Sequence, residues 1–497
     1  MIKIIDKNEW PLFRMIIPAV PGVTIFTGQS KRTTALGPIM VATAANRLWG
    51  WRVEVIDEND YKRGPKDSNG LPDHIVLQRE NPAAVVGFYC GLTSAMERVW
   101  ELAEFYQKVP TIAGGWHAHY CPEETLQHNI DIVVHGDGEI VIQQLLIALK
   151  EKSFLSQIDG ISFLENGQVK TNLPKALEIS DLNDLPFPDF GLLRYAKMRL
   201  YPIGRIRGCS KNCEFCSVKG EPRYACAEHL FNTVKWLVET RKAKHFFVVD
   251  DRSEEDLDGT FEFFRMISEK YGNRLHFTVQ IRLETAKNTK LLEIMKKAGV
   301  RYACVGFESP IDSDLIAMRK GYLSSHMLEW TKILRRYFWI HGMFIAGYPL
   351  KERQKVISPK EIVRCFRKFI RKSRIDTIQI ILPVPLVGTD LRERLDVFPL
   401  DIVSWKRYTG NDVCFRPDNM SVKELYGISM KIMKRFYRFS SFFWVAIRFV
   451  RFPLDHFIRG RGYYLSRDAI KCAGYFLIRQ CQKRQENREF VQKLEDY

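Results

Sequence analysis

Two stretches of the chain alternate short apolar runs with helix-length amphipathic segments. In the first, "WRVEVID" (51–57), "AAVVGFYC" (83–90), "TIAGG" (111–115) and "IDIVVHGDGE" (130–139) are apolar and end in glycine, acid or small polar residues. Before, between and after them, "GPIMVATAANRLWG", "AMERVWELAEFYQK" and "IVIQQLLIALKEK" carry apolar residues at helical spacing. Continuous apolar strands alternating with helices predict a parallel α/β sheet buried on both faces. Ligands of such sheets sit beyond the carboxyl ends of the strands. Here those ends are "CGLTSA", "GGWHAHY" and "HGDGE".

The second series is "KHFFVVDD" (244–251), "LHFTVQIR" (275–282), "YACVGFES" (302–309), "HGMFIAGYP" (341–349) and "TIQIILPVP" (377–385). Helix-length segments such as "KLLEIMKKAG" and "SPKEIVRCFRKFIRKS" separate them. With a strand leading into a cysteine-bearing loop near 205, six strands are expected, which predicts a partial (β/α) barrel whose chemistry gathers at strand C-termini. Between the series, "ALEISDLNDLPFPDFGLL" mixes Pro, Asp, Asn and Gly without periodicity and reads as a linker. The predicted organisation is α/β: a Rossmann-like domain over 1–165, a linker over 166–194, a (β/α)6 partial TIM barrel over 195–400 and a helical, basic and aromatic region over 401–497.

Composition narrows the setting. Of 497 residues, 75 are Lys or Arg and 58 are Asp or Glu, a formal charge of +17. That surplus points to an acidic partner such as nucleic acid, anionic lipid or a polyanionic substrate. Eleven scattered cysteines are not the dense, even framework of a small secreted domain. The N-terminus has no apolar core ahead of a small-residue cleavage site, and no window reaches eighteen uncharged apolar residues. A reducing cytoplasm with thiols free for metal is the expectation.

The sharpest signal is "GRIRGCSKNCEFCSVKG" (204–220), with Cys209, Cys213 and Cys216 spaced Cys-x3-Cys-x2-Cys. Thiolates suit iron–sulfur clusters and zinc. Structural zinc closes with four ligands, and a [4Fe–4S] cube has four iron corners. Three close cysteines leave one corner open. The bland alternative is a zinc-stabilised α/β protein in which a distant side chain completes the site.

"RGCSKNCEFCS" resembles the signature of the radical S-adenosylmethionine (SAM) enzymes, Cys-x3-Cys-x-aromatic-Cys. The resemblance continues in order through "FFVVDDRS", "FTVQIRLET", "LLEIMKKAGVRYACVGFESPIDSDLIAMRKGY", "MFIAGYP" and "PVPLVGTDLRERL", over roughly 195–400. It implies that Cys209, Cys213 and Cys216 hold three irons of a [4Fe–4S] cluster, the fourth taking the amino and carboxylate groups of SAM. A 5′-deoxyadenosyl radical then abstracts hydrogen from an unactivated carbon. Phe215 is expected near the adenine or in the core. Asp250, Asp251, Gln280, Arg282 and Glu308 fall at strand ends suited to the methionine and ribose groups. Gly347 would let backbone approach the cofactor or turn the chain.

Residues 35–145 resemble the cobalamin-binding domain that precedes the barrel in B12-dependent radical enzymes, the class of the hopanoid methylases and the anaerobic porphyrin-ring cyclase. One departure is plain: the Asp-x-His-x-x-Gly loop that offers an axial His to cobalt is absent. By resemblance, Gly114, Gly115, Gly136 and Gly138, with Thr93 and Ser94, would cradle the corrin, and Trp116 would cap it. His117 and His119 are candidate cobalt or substrate contacts.

The segment "KRFYRFSSFFWVAIRFVRFP" (434–453) interleaves aromatics with Arg, as in a helix lying in an anionic headgroup layer. The alternatives are peripheral contact at the inner membrane surface and a helix that packs its aromatics on the barrel with its charges in water; nucleic acid is not expected, since no RNA-binding motif accompanies it. The resulting expectation is a cobalamin-dependent radical SAM C-methyltransferase acting on a hydrophobic, lipid- or isoprenoid-like substrate and reduced by a ferredoxin or flavodoxin. The alternatives are a radical enzyme with a vestigial first domain that forms or rearranges C–C bonds without methyl transfer, and a non-catalytic iron–sulfur or B12 sensor.

Overall fold

The structure is a computed structural model that describes residues 10–21, 33–172, 179, 181–350, 357–438 and 485–497. Seven strands form the first sheet. β1 (Leu12–Ile17), β2 (Arg52–Asp57), β3 (Val85–Tyr89), β4 (Thr111–Gly114) and β5 (Ile132–Val134) pair in parallel. β6 (Ile161–Glu165) and β7 (Gln168–Asn172) complete it as an antiparallel hairpin. The order is β2-β1-β3-β4-β5-β6-β7. β1 thus has β2 on one side and β3 on the other, and ligands of open α/β sheets gather at the carboxyl ends of strands flanking such a reversal.

Three of these strands, β1 and the hairpin of β6 and β7, depart from the sequence expectation. β1, "LFRMII", was not expected, because an arginine stands in its middle. All six of its residues are buried. Arg14 is tolerated because its Nε donates to Glu54 Oε1 on β2 at 2.6 Å and its Nη1 to the Tyr106 hydroxyl at 3.1 Å, so no buried charge is left unpaired. β7 lies inside the stretch read as a linker. Its hairpin turns at Asn166 (φ 53°) and Gly167 (φ 79°), the pair that a two-residue turn with two positive φ angles favours.

The second sheet carries the six expected parallel strands: β8 (Tyr201–Ile203), β11 (His245–Val248), β12 (His276–Arg282), β13 (Val300–Glu308), β14 (Trp339–Ile345) and β15 (Thr377–Ile381). Their order is β15-β14-β13-β12-β11-β8. A small antiparallel pair, β9 (Ile206–Arg207) and β10 (Arg223–Tyr224), brackets the cysteine loop. Helix Pro359–Ser373 starts from a reciprocal Ser358–Glu361 capping box, and helix Val422–Phe436 from the same device at Ser421–Glu424.

The chain gathers into two compact units. Among the described residues, one comprises those up to Arg207 together with 222–250, and the other 208–221 together with 251 onwards. Among the described residues no helix is long and apolar enough to cross a membrane. Residues 439–453 of the candidate membrane-contact segment, with Cys472 and Cys481, lie outside the described residues.

Candidate active site

The cysteine loop is pinned through its backbone. Gly208, at φ 86°, donates its N–H to Asp251 Oδ2 at 2.8 Å. The Ser210 N–H and hydroxyl both reach Glu255 Oε1, which Arg252 also holds at 2.8 Å. Glu214 is almost fully buried between Cys213 and Phe215. Its N–H donates to the Met318 carbonyl and its carbonyl accepts from Leu391. Its carboxylate takes two 3.0 Å bonds from Arg394 and one of 2.7 Å from the Tyr348 hydroxyl. A buried, bidentate carboxylate–guanidinium pair of this kind is rigid as well as strong. At the loop's end, Lys219 and Arg319 both pair with Asp390.

Burial pushes the Cys216 thiol up to about 11, and the nearby Cys213 and Cys209 sulfurs add to the effect. The three thiols therefore share one environment. Three soft thiolate donors on one short, backbone-pinned loop are a donor set that an iron–sulfur cluster takes. A cation stands beside it: Arg282 Nη1 lies 3.8 Å from Cys213 Sγ, while its other nitrogens bond Glu284 and the Lys320 carbonyl.

The expected cofactor contacts separate into two groups. Arg282 and Glu308 come to one place, at the ends of β12 and β13. Glu308 is buried and adopts φ 57°, a conformation costly for a side chain other than glycine and kept only where the surroundings enforce it. Lys320 Nζ holds its carboxylate at 2.6 Å, and the Tyr322 hydroxyl donates to the Gly306 carbonyl at 3.0 Å. Acid and base side by side suit the zwitterionic end of an amino acid. The other group has structural partners. Asp250 Oδ1 accepts the backbone N–H groups of Arg205 and Ile206, and Asp251 ties down Gly208. Phe215 packs edge-on against Tyr348 beside Met318 and Leu391. Gly347, at φ 76°, makes room for Leu425 of helix Val422–Phe436. Gln280 is exposed on β12.

The sequence reading missed Glu214, Glu284, Lys320, Tyr322 and Arg394. "MRKGY" lay within the quoted resemblance, but nothing in its spacing marked Lys320 and Tyr322 as reaching back to β13.

In the first unit, the candidate corrin contacts lie on the loops after β3, β4 and β5. Gly115 has φ 123°, and a Cβ there would meet the Gly91 nitrogen at 2.6 Å and the Cys90 carbonyl carbon at 2.7 Å. It lets the β4 loop press on the β3 loop, where the His117 N–H donates to the Cys90 carbonyl. Gly114 is roomier, with only Val134 Cβ nearby at 3.8 Å. Gly136 turns at φ 70°, and Gly138 opens helix Gly138–Glu151 close to Val41. Thr93 and Ser94 are buried, and Trp116 is exposed and stacked on Tyr120. His117 is fully buried. His119 Nδ1 lies 3.1 Å from His135 Nδ1, and burial together with His119 lowers His135 to about 4, so that imidazole is neutral. The uncrowded Gly114 and an exposed indole beyond the end of β4 fit a flat corrin held by backbone.

Residues 203–358 match the family model described as Radical SAM superfamily. An uncharacterised methyltransferase of Pyrococcus horikoshii is 27% identical over 366 residues, 69% of this chain and 77% of that protein. The anaerobic magnesium-protoporphyrin IX monomethyl ester cyclase of Cereibacter sphaeroides is 22% identical over 66% of this chain and 55% of its own length. Among solved structures, the radical SAM methyltransferase TsrM from Kitasatospora setae, with cobalamin and a [4Fe–4S] cluster bound, superimposes with a TM-score of 0.66 at 14% identity, over 95% of this chain and 100% of that one. The fold is therefore that of the cobalamin-dependent radical SAM methyltransferases, and residues 203–358, built around Cys209, Cys213 and Cys216, are a radical SAM domain whose cofactors are a [4Fe–4S] cluster and SAM.

Proposed function

We propose that the chain is a cobalamin-dependent radical SAM C-methyltransferase acting on an unactivated carbon of a hydrophobic, lipid- or isoprenoid-like substrate. The observation that carries this reading is the pinned three-thiol loop with Arg282 at Cys213 and the Glu308–Lys320 pair at the adjoining strand end. The first unit's strand reversal at β1 and the uncrowded Gly114 at the end of β4 support cobalamin there. When bound, the cluster supplies one electron for cleavage of SAM to a carbon radical, and cobalamin supplies the methyl group.

The chain's own residues do the rest. Cys209, Cys213 and Cys216 hold iron and leave one corner for SAM. Glu308 takes the SAM amino group and Arg282 its carboxylate, while Glu214, Arg394 and Tyr348 keep the loop rigid. Gly114, Gly136 and Trp116 face the corrin. A small reducing protein of the ferredoxin or flavodoxin kind delivers the electron, and 434–453 provides contact with an anionic membrane surface.

The test is anaerobic reconstitution with iron, sulfide and hydroxocobalamin, followed by turnover with methyl-labelled SAM and a lipid extract. The expected result is 5′-deoxyadenosine together with label on a carbon of the product. Deoxyadenosine without labelled product, from a preparation that takes up no cobalamin, would instead favour a radical enzyme that forms or rearranges C–C bonds.

A further inference from the structure

The loop after β4 carries a second set of metal-ligand side chains with no part in the chemistry above. His117, Cys121 and Glu124 stand on two single-turn helices, Trp116–Tyr120 and Pro122–Leu126. Their spacing of four and then three residues brings them to one side of the chain. One ligand-type atom from each lies within 4.8 Å of the other two.

Distances within the set suit an ion better than a hydrogen bond. His117 Nε2 is 3.4 Å from Glu124 Oε2. That is beyond the usual range of about 2.7–3.2 Å for an N–H···O bond. Two ligands at ordinary zinc distances, about 2.0–2.1 Å for imidazole nitrogen and 2.0–2.2 Å for carboxylate oxygen, subtend about 3.4 Å at a tetrahedral ion.

The supporting shell is also in place. His117 Nδ1 lies 3.3 Å from the buried Thr93 hydroxyl, the kind of partner that fixes a ligating imidazole in its plane. The His117 backbone is anchored by its N–H to the Cys90 carbonyl, and the Cys121 N–H donates to the His117 carbonyl. The Cys121 carbonyl accepts both the N–H and the hydroxyl of Thr125. His117 is fully buried, whereas the Glu124 side chain is 25% exposed, so one side opens to water.

We propose that His117, Cys121 and Glu124 bind one borderline-soft divalent cation of the zinc type, with water in the fourth position. A neutral imidazole, one thiolate and one carboxylate carry two negative charges, which the cation cancels. The site is thereby neutral where a bare pair of anions would be costly. Binding releases the Cys121 thiol proton to solvent. The ion clamps the two short helices and so stiffens the Gly114–Trp116 turn. It also accounts for a buried His117 turned to Cys121 and Glu124 rather than held ready as a cobalt ligand. The assignment stands on the first unit alone and does not depend on the proposed reaction.

The test uses the full chain in two forms, one with its iron–sulfur cluster reconstituted and one carrying Cys209→Ala, Cys213→Ala and Cys216→Ala. Each is titrated with Zn²⁺ against a chromophoric chelator, with zinc and iron counted by mass spectrometry and X-ray absorption recorded at the zinc edge. One zinc per chain is expected in both forms, with a single sulfur and the remaining ligands nitrogen or oxygen. Cys121→Ser and Glu124→Gln should each weaken binding by at least about tenfold, and Thr93→Val by about 10-fold, with iron content unchanged. The proposal is overturned if the three-alanine chain takes up no zinc, if its zinc shows no sulfur neighbour, or if both ligand variants bind as the parent does. The absorption spectrum of the parent decides the matter even if a variant fails to fold.

Discussion

The two cofactor regions are built on opposite physical plans. Around the cysteine loop, charged side chains hold the geometry: Glu214 with Arg394, Glu255 with Arg252, Arg282 with Glu284, and Glu308 with Lys320. Around the turns after β3 and β4, backbone shape and neutral imidazoles hold it, while at the β5 turn Arg207 pairs with Asp137 and Glu139 and Arg223 with Asp137. Gly115 accepts a conformation that no side chain would fit, and His135 is kept uncharged by burial. On the proposed function, a site that handles a sulfonium nucleotide and an electron needs fixed charge, whereas one that receives a large flat ring needs clearance. The first plan fails by losing a charge and the second by gaining an atom.

The largest expected effect breaks the first region outright. Alanine at Cys209, Cys213 or Cys216 should abolish deoxyadenosine formation and drop iron toward background after reconstitution. Cobalamin uptake, read from its absorption, should persist, because its contacts belong to the first unit. Loss of both cofactors in one cysteine variant would show the regions to be a single cooperative site.

Next comes the buried Lys320–Glu308 pair. Lys320→Met leaves an uncompensated carboxylate that is 8% exposed, and removing one partner of a buried pair costs about 3–5 kcal/mol. Urea unfolding should report a loss of that order, and the double variant Lys320→Met/Glu308→Gln should recover much of it. An equal loss in both would assign the effect to Tyr322 and the left-handed turn instead.

This contrast also explains what was legible in the chain. The cysteine spacing and the six apolar strands could be read because side-chain identity encodes them directly. Glu214 could not, since Arg394 lies 180 residues from it, and Lys320 could not, since it acts only by folding back over 12 residues to Glu308. In the first unit, β2 to β5 were legible from continuous apolar runs. β1 was not, because Arg14 breaks the run and is satisfied only by tertiary contacts, and without β1 the strand reversal cannot be located. The Asn166–Gly167 hairpin was the one miss with a local signal.

Charged groups brace the first unit as well, and acid exposes one of them. Glu58 is buried, which pushes its carboxyl up, but His74 and Arg98 outweigh burial and bring it from 4.5 down to about 2. A depressed carboxyl stabilises the fold above its unfolded value, and that contribution is lost as pH falls through the folded one. The first unit should therefore weaken between about pH 4.5 and 2, by about 3 kcal/mol at one pH unit per 1.36 kcal/mol. Glu58→Gln should flatten that part of the stability–pH profile, and a profile unchanged by the substitution would rule Glu58 out as the source of the acid sensitivity.

The smallest effect is the sharpest test of clearance. A methyl group at Gly115 meets main-chain atoms at 2.6 and 2.7 Å in a φ region that side chains avoid, whereas one at Gly114 meets only Val134 Cβ at ordinary contact distance. Gly115→Ala should cost about 1–3 kcal/mol by thermal or urea unfolding, since the β4 loop must lift off the Cys90 carbonyl. Gly114→Ala should leave stability within about 0.5 kcal/mol. If the corrin lies against this turn, Gly114→Ala should nevertheless weaken cobalamin uptake in a protein that is otherwise fully folded. That pairing separates a glycine the chain needs from one the ligand needs. Equal uptake by the Gly114 variant and the parent would move the corrin contact to the Gly136 turn and leave Trp116 without a face to cover.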